Sequence, residues 1–114
     1  MKIVDWKTFV DMPENTLFSK WEPCVFGELC IKGESLGNPP IDFYVQYISD
    51  PVDFDNSSDY VDMCHAAAQN GDSLPIDLDC VQRDALFDQD QLFAVWEQDD
   101  VKLLIERLQR CVKE

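Results

Sequence analysis

The hydrophobic positions of this chain change period several times, and each change marks an element. After Asp5, the residues Trp6, Phe9 and Val10 fall on one side of a short helix. Asp5 is a good cap for its first N–H groups, and Pro13 ends it near residue 12. Residues 16–21 are aromatic and extended in character. Between residues 25 and 32, Leu29 and Ile31 alternate with Glu28, Cys30 and Lys32, which predicts a strand with Gly27 as a bulge or a turn. Residues 33–40, with two glycines and two prolines, predict a loop. Residues 41–48 predict a further strand that places Phe43, Val45 and Tyr47 opposite Tyr44 and Gln46, and Asp50-Pro51 closes it.

The second half reads as two longer helices separated by extended chain. Asn56-Ser57-Ser58 caps a helix running to about residue 69, with Tyr60, Cys64, Ala67 and Ala68 as its apolar stripe and Asn70-Gly71 as its stop. Residues 73–78 fit a short strand or a connector, and residues 91–96 fit a strand by composition. In the last helix Val101, Leu104, Ile105, Leu108, Cys111 and Val112 recur at helical spacing after a cap at Asp99 or Gln98. Acids at its start and Arg107, Arg110 and Lys113 near its end agree with the helix dipole. Helices interspersed among hairpin-linked strands predict one compact α+β domain over residues 1–114. Its sheet is antiparallel or mixed, and its helices number about three, the last amphipathic.

Charge changes this picture more than composition does. The 114 residues carry 9 Lys+Arg against 23 Asp+Glu, a formal charge of −14, while 46 % apolar and 11 % aromatic content suffices for a core. Residues 42–100 hold 15 acids and one base, Arg83, whereas the other 55 residues hold eight of each. The whole imbalance belongs to one contiguous stretch. Its acids are interleaved with Phe43, Tyr44, Val45, Tyr60, Phe87, Phe93 and Trp96, so it predicts a folded acidic face rather than a charged tail. Such a face disfavours direct binding of a nucleic-acid backbone.

No apolar run approaches the ~20 residues of a membrane span, and the first residues lack the apolar segment of a secretory signal. Five cysteines (Cys24, Cys30, Cys64, Cys80, Cys111) are odd in number, and none is spaced as Cys-x-x-Cys. They predict reduced, mostly buried thiols in a cytoplasmic protein.

Familiar site chemistries fail one by one. Asp53-x-Asp55-x-Ser57-x-Asp59 resembles the start of a calcium loop, but Ser58 stands where the loop needs glycine and Cys64 where it needs a bidentate Glu. Cys64 and His65 are adjacent on a helix, about 100° apart, so they do not face one zinc ion. His65 is the only histidine, and no motif sets a base beside a nucleophile. Four scattered glycines form no phosphate loop. The expectation is a protein that is not an enzyme, without metal or cofactor.

The acidic face remains. Its plainest role is solubility; its functional role is to stand in for phosphates and occupy a cationic channel. Asp outnumbers Glu 14 to 1 in residues 42–100, which holds charge close to the backbone, although Asp is also a turn and cap former. Asp42, Asp50, Asp53, Asp55, Asp59, Asp62, Asp88 and Asp90 are the candidate acids, and Tyr44, Phe54 and Phe87 the candidate aromatic anchors. A different reading is an oligomeric sponge for a nucleotide-like anion, in which Arg83, Arg107 and Arg110 make the contacts.

Residues 23–32 (PCVFGELCIK), 83–88 (RDALFD) and 90–96 (DQLFAVW) resemble small acidic accessory proteins of tailed phages and prophages, a group of unassigned function. The resemblance spans most of the chain and brings no active-site residues. It implies a setting in the host cytoplasm and a host protein as target, with nucleic-acid-binding defence effectors as one class of target to inhibit.

Overall fold

The local signals at the amino-terminal end work as their chemistry requires. In a computed structural model, which describes residues 1–79 and 81–113, Asp5 Oδ1 accepts the Thr8 N–H at 2.8 Å and opens α1 (Trp6–Val10). Trp6, Phe9 and Val10 all point inward. The strands are β1 (Lys2–Val4), β2 (Thr16–Glu22), β3 (Val25–Leu36), β4 (Asp42–Tyr47), β5 (Gln82–Arg83) and β6 (Leu92–Val95). They form one antiparallel sheet in the order β1-β6-β2-β3-β4-β5. Two longer helices, α2 (Ser57–Asn70) and α3 (Gln98–Gln109), complete an α+β domain with three helices among the described residues. No helix among them is long and apolar enough to cross a membrane.

The core lies between α1 and one face of the sheet. Phe9 stacks on Phe93 with ring centroids 3.9 Å apart, and Phe18 and Phe43 close around it at 4.6 and 5.1 Å. Rings in such contact contribute about 0.5–1.5 kcal/mol per pair beyond the area they bury. Phe43, Val45 and Tyr47 share this face as the alternation predicts.

Strand β3 takes one of the two forms expected for it and runs longer than expected. Its register skips opposite Ser19 and Trp21, so Gly27 lies at a bulge within one strand rather than at a turn between two. The strand also runs on to Leu36, because Ser35 and Leu36 pair with Phe43 and Asp42; only residues 37–40 remain as the loop. Gly33 makes this possible, since a Cβ there would sit 2.9 Å from that of Tyr44.

The polar side of β3 is the one that meets the core. Cys30 and Lys32 are buried, and Leu29 and Ile31 are half-buried. The Lys32 Nζ donates to the Gly33 carbonyl at 3.0 Å and to Ser35 Oγ at 2.8 Å; Ser35 Oγ in turn donates to the Val10 carbonyl at the end of α1. Burial pushes the lysine's pKa down. Among the four described cysteines only Cys30 is buried. Cys24 and Cys111 are exposed and Cys64 is half-buried, which corrects the expectation of mostly buried thiols. Cys80 lies outside the described residues.

Cys30 gives the fold an alkaline limit. Burial, and secondarily Glu28, push its pKa up from 9.0 to about 12. The unfolded chain ionises this thiol above pH 9 and the folded chain does not, so the stability it confers is complete below pH 9 and is lost as pH rises. At about pH 10.5 the loss reaches roughly 2 kcal/mol. Cys30→Val does not titrate and is expected to lack that share of the decline. Denaturant unfolding of both proteins at neutral and alkaline pH checks this, and parallel declines would contradict it.

Candidate functional site

After β4 the chain leaves the sheet. Pro51 and Val52 run antiparallel to residues 75–77: Val52 bridges Ile76, the Asp53 N–H donates to the Pro75 carbonyl at 3.0 Å, and the Asp77 N–H donates to that of Pro51 at 2.8 Å. This neck carries α2. Asn56 caps the helix by accepting the Asp59 N–H, and Gly71 ends it in the left-handed conformation (φ 75°) that the sequence Asn-Gly predicts. No residue of α2 is buried. Phe54 leans on Tyr60 with ring centroids 4.7 Å apart and is otherwise half-exposed.

From Asp50 to Asp79 this arm holds eight aspartates and neither Lys nor Arg. Asp53, Asp55, Asp59 and Asp62 surround a shallow concavity of about 300 Å³ whose remaining lining is Phe54 and Met63. The fold uses one of the four: Asp59 stands in the first turn of α2 and accepts from the Asn56 side chain at 3.1 Å. Among the described residues, the carboxylates of Asp50, Asp53, Asp55 and Asp62 have no hydrogen bond or ion pair. Like charges one turn apart on a helix cost about 0.2–0.5 kcal/mol per pair, so Asp62, beyond the first turn and near Asp59, works slightly against the helix that carries it.

The other candidates divide. Asp42 does not join the acidic surface. It is 2 % exposed and binds the Phe43 N–H (2.8 Å), the Ala85 N–H (3.0 Å) and Arg83 Nε (2.9 Å). Burial is the strongest single influence on its pKa and raises it, but the two N–H groups and the guanidinium together outweigh it and hold the carboxyl below its ordinary value. This corrects its assignment as a contact acid: its position at the start of β4 turns it inward to fasten the chain after β5.

Asp88 and Asp90 are exposed but belong to the loop between β5 and β6. That loop crosses the α1 side of the sheet, where Lys20 donates to Asp84 and Leu86 faces Phe18, Cys30 and Tyr47. They line no part of the arm's concavity. Asp88 Oδ1 accepts the Asp90 N–H, which is the ordinary turn use of aspartate.

Only one candidate anchor adjoins the acids. Phe54 lies in the concavity, Phe87 is in the crossing loop, and Tyr44 is half-buried on the sheet beside Arg83. Arg83 is engaged by Asp42, whereas Arg107 and Arg110 lie at the end of α3, so the three arginines share no element. Three arm acids escaped selection from the sequence: Asp72, Asp77 and Asp79. The signal for them was the unbroken absence of basic residues from 50 to 79.

Chemically, the arm offers an ordered negative surface with an aromatic side chain at its centre. Among the described residues, no three His, Cys, Asp or Glu side chains converge as metal ligands do. Cys64 is half-buried while the adjacent His65 is exposed. Comparison of the chain with family models, with curated proteins and with solved structures returns no match.

Proposed function

We propose that this protein is a binding module whose acidic arm docks on the cationic surface of another protein and blocks it. The observation that carries this reading is the group of carboxylates around Phe54, three of them (Asp53, Asp55 and Asp62) without a partner among the described residues, at the start of a helix that the rest of the fold does not bury. Net charge alone would serve solubility from any position. Here the acids are concentrated on one projecting element, next to an exposed ring of the type that dominates binding hot spots. A surface that carries like charge at a cost to its own helix gains from an oppositely charged partner.

The resemblance to phage accessory proteins gives this binding a setting in the host cytoplasm. A nucleic-acid-binding defence effector is the target class that fits best, because its cationic channel is built for a regular row of anions. The protein acts as an inhibitor by occupying that channel, and as a nucleic-acid mimic to the extent that its carboxylates take the phosphate positions.

The test uses two immobilised baits, the wild-type chain and an Asp50→Asn, Asp53→Asn, Asp55→Asn, Asp62→Asn variant, each exposed to host lysate. Proteins held by the wild type alone are identified and challenged with nucleic acid. The expected result is a basic protein that is released both by added salt and by competing nucleic acid. Identical sets on the two baits would overturn the reading.

A further inference from the structure

The molecule carries a second unpartnered surface with the opposite polarity. Helix α3 starts from Glu97, whose side chain forms a capping box with Asp100, one or two residues earlier than the sequence pattern places the cap. No residue of α3 is buried. Within its apolar stripe Val101 and Leu104 are half-buried, whereas the second half is open: Ile105 and Leu108 are about half exposed (Leu108 52 %), and Val112 in the turn beyond is 75 % exposed. A stripe of this width normally lies against a core or another helix.

We propose that α3 pairs antiparallel with α3 of a second copy, and that the end of each helix lies in a groove at the base of the other. Charge sets the direction. The helix begins among acids and ends with Arg107, Arg110 and Lys113. A parallel pair would bring like ends together, whereas an antiparallel pair brings acid to base and opposes the two helix dipoles.

The groove is already present. A concavity of about 670 Å³ opens between the first turn of α3, the end of β6 and the chain linking α1 to β2. Met12, Leu17, Trp96 and Val101 give it an apolar lining; Glu14 and Asp99 also line it, as does Lys2, which is paired with Glu97. An antiparallel neighbour brings Leu108 and Val112 to that apolar lining and the basic end that carries Arg110 and Lys113 close to Glu14 and Asp99. Because Glu97 and Asp100 are used in the capping box, Glu14 and Asp99 are the acids available for the pairing.

Size argues for groove and stripe acting together. Twelve helical residues span only ~18 Å, which by itself falls short of the ~800 Å² per partner of a standard interface. Engaging both grooves extends the contact at each end. Such a two-fold arrangement is self-complementary, so it closes as a dimer and does not propagate.

Sedimentation of the full chain over a concentration series tests the proposal. The wild type is expected to shift from monomer to dimer. Leu108→Glu alters a side chain exposed in the monomer; it is expected to leave the fold intact by circular dichroism and to weaken association about a thousand-fold, since two leucines are lost per dimer. Arg110→Glu with Lys113→Glu is expected to weaken it as well, and adding Glu14→Lys with Asp99→Lys to restore it. A wild type that stays monomeric throughout would overturn the proposal and leave the face to a different protein. Dimers that survive Leu108→Glu, or reversed charges that are not rescued, would overturn it too.

Discussion

Replacing Asp42 with Asn is expected to lower the unfolding free energy by about 3 kcal/mol. The carboxylate meets three donors: the Phe43 and Ala85 N–H groups and Arg83 Nε. An amide keeps one oxygen but turns an NH2 group toward at least one of these donors, and it removes the charge that Arg83 balances. The loss is kept below that of a fully buried pair because the Arg83 side chain is itself 52 % exposed. The consequence is also spatial, since Asp42 fastens β5 and the start of the crossing loop to β4.

The pH dependence has a definite sign. The folded carboxyl titrates below its ordinary 3.8, so its stabilisation is fully present above that value and is lost as pH falls through the lower, folded one. Denaturant unfolding is therefore expected to separate wild type and variant at neutral pH and to bring them together in acid. A separation that stays constant into acid would refute the ion-pair account.

Neutralising the arm is expected to do the reverse: little to the fold and much to binding. With Asp50, Asp53, Asp55 and Asp62 changed to Asn, the unfolding free energy should stay the same or rise slightly. Those carboxylates have no partners among the described residues, and Asp62 repels Asp59. Affinity for the cationic target should fall about a hundred-fold. Four solvated contacts at about 0.2–1 kcal/mol each account for part of this, and slower electrostatic steering for the rest. Raising the salt should narrow the gap, because charges are screened beyond ~8 Å at physiological ionic strength. Stopped-flow association rates over a salt series measure both effects. A variant that associates as fast as the wild type at low salt would contradict them.

The sequence carried the longer elements because each buries a face or ends on a recognisable cap. Asp5, Asn56 and Gly71 do what their positions predict. Strands β1 and β5, with three and two residues, are too short to show any period and exist through their pairing with β6 and β4. Gly33 and Gly37 look alike in the sequence. Yet Gly33 lies within β3, pressed against Tyr44, whereas Gly37 sits in the loop at φ 96°. Lys32 was hidden for a different reason: charge usually marks the wet side of a strand, and here a second irregularity of β3, between Lys32 and Ser35 in its pairing with β4, lets the Gly33 carbonyl and Ser35 Oγ supply the acceptors that allow burial.

The candidate site was legible as a list of acids and not as a surface. Asp42 and Asp50 have the same chemistry, and only long-range pairing decides between them. Asp42 meets a backbone N–H 43 residues away, whereas Asp50 precedes a neck closed by Val52 and Ile76. Asp88 and Asp90 share the acidic stretch of sequence with the arm, yet they lie in the loop between β5 and β6 and line no part of the arm's concavity.

Position, rather than net charge, is the central claim, and a charge-matched comparison tests it most directly. Two variants each lose four negative charges: the arm variant above, and one with Glu22, Glu28 and Glu34 changed to Gln and Asp11 to Asn, all exposed and outside the arm. Affinity for the captured target should fall about a hundred-fold in the first and change by less than about three-fold in the second. Equal losses in both would show that the arm's arrangement carries no recognition and that overall charge alone accounts for binding.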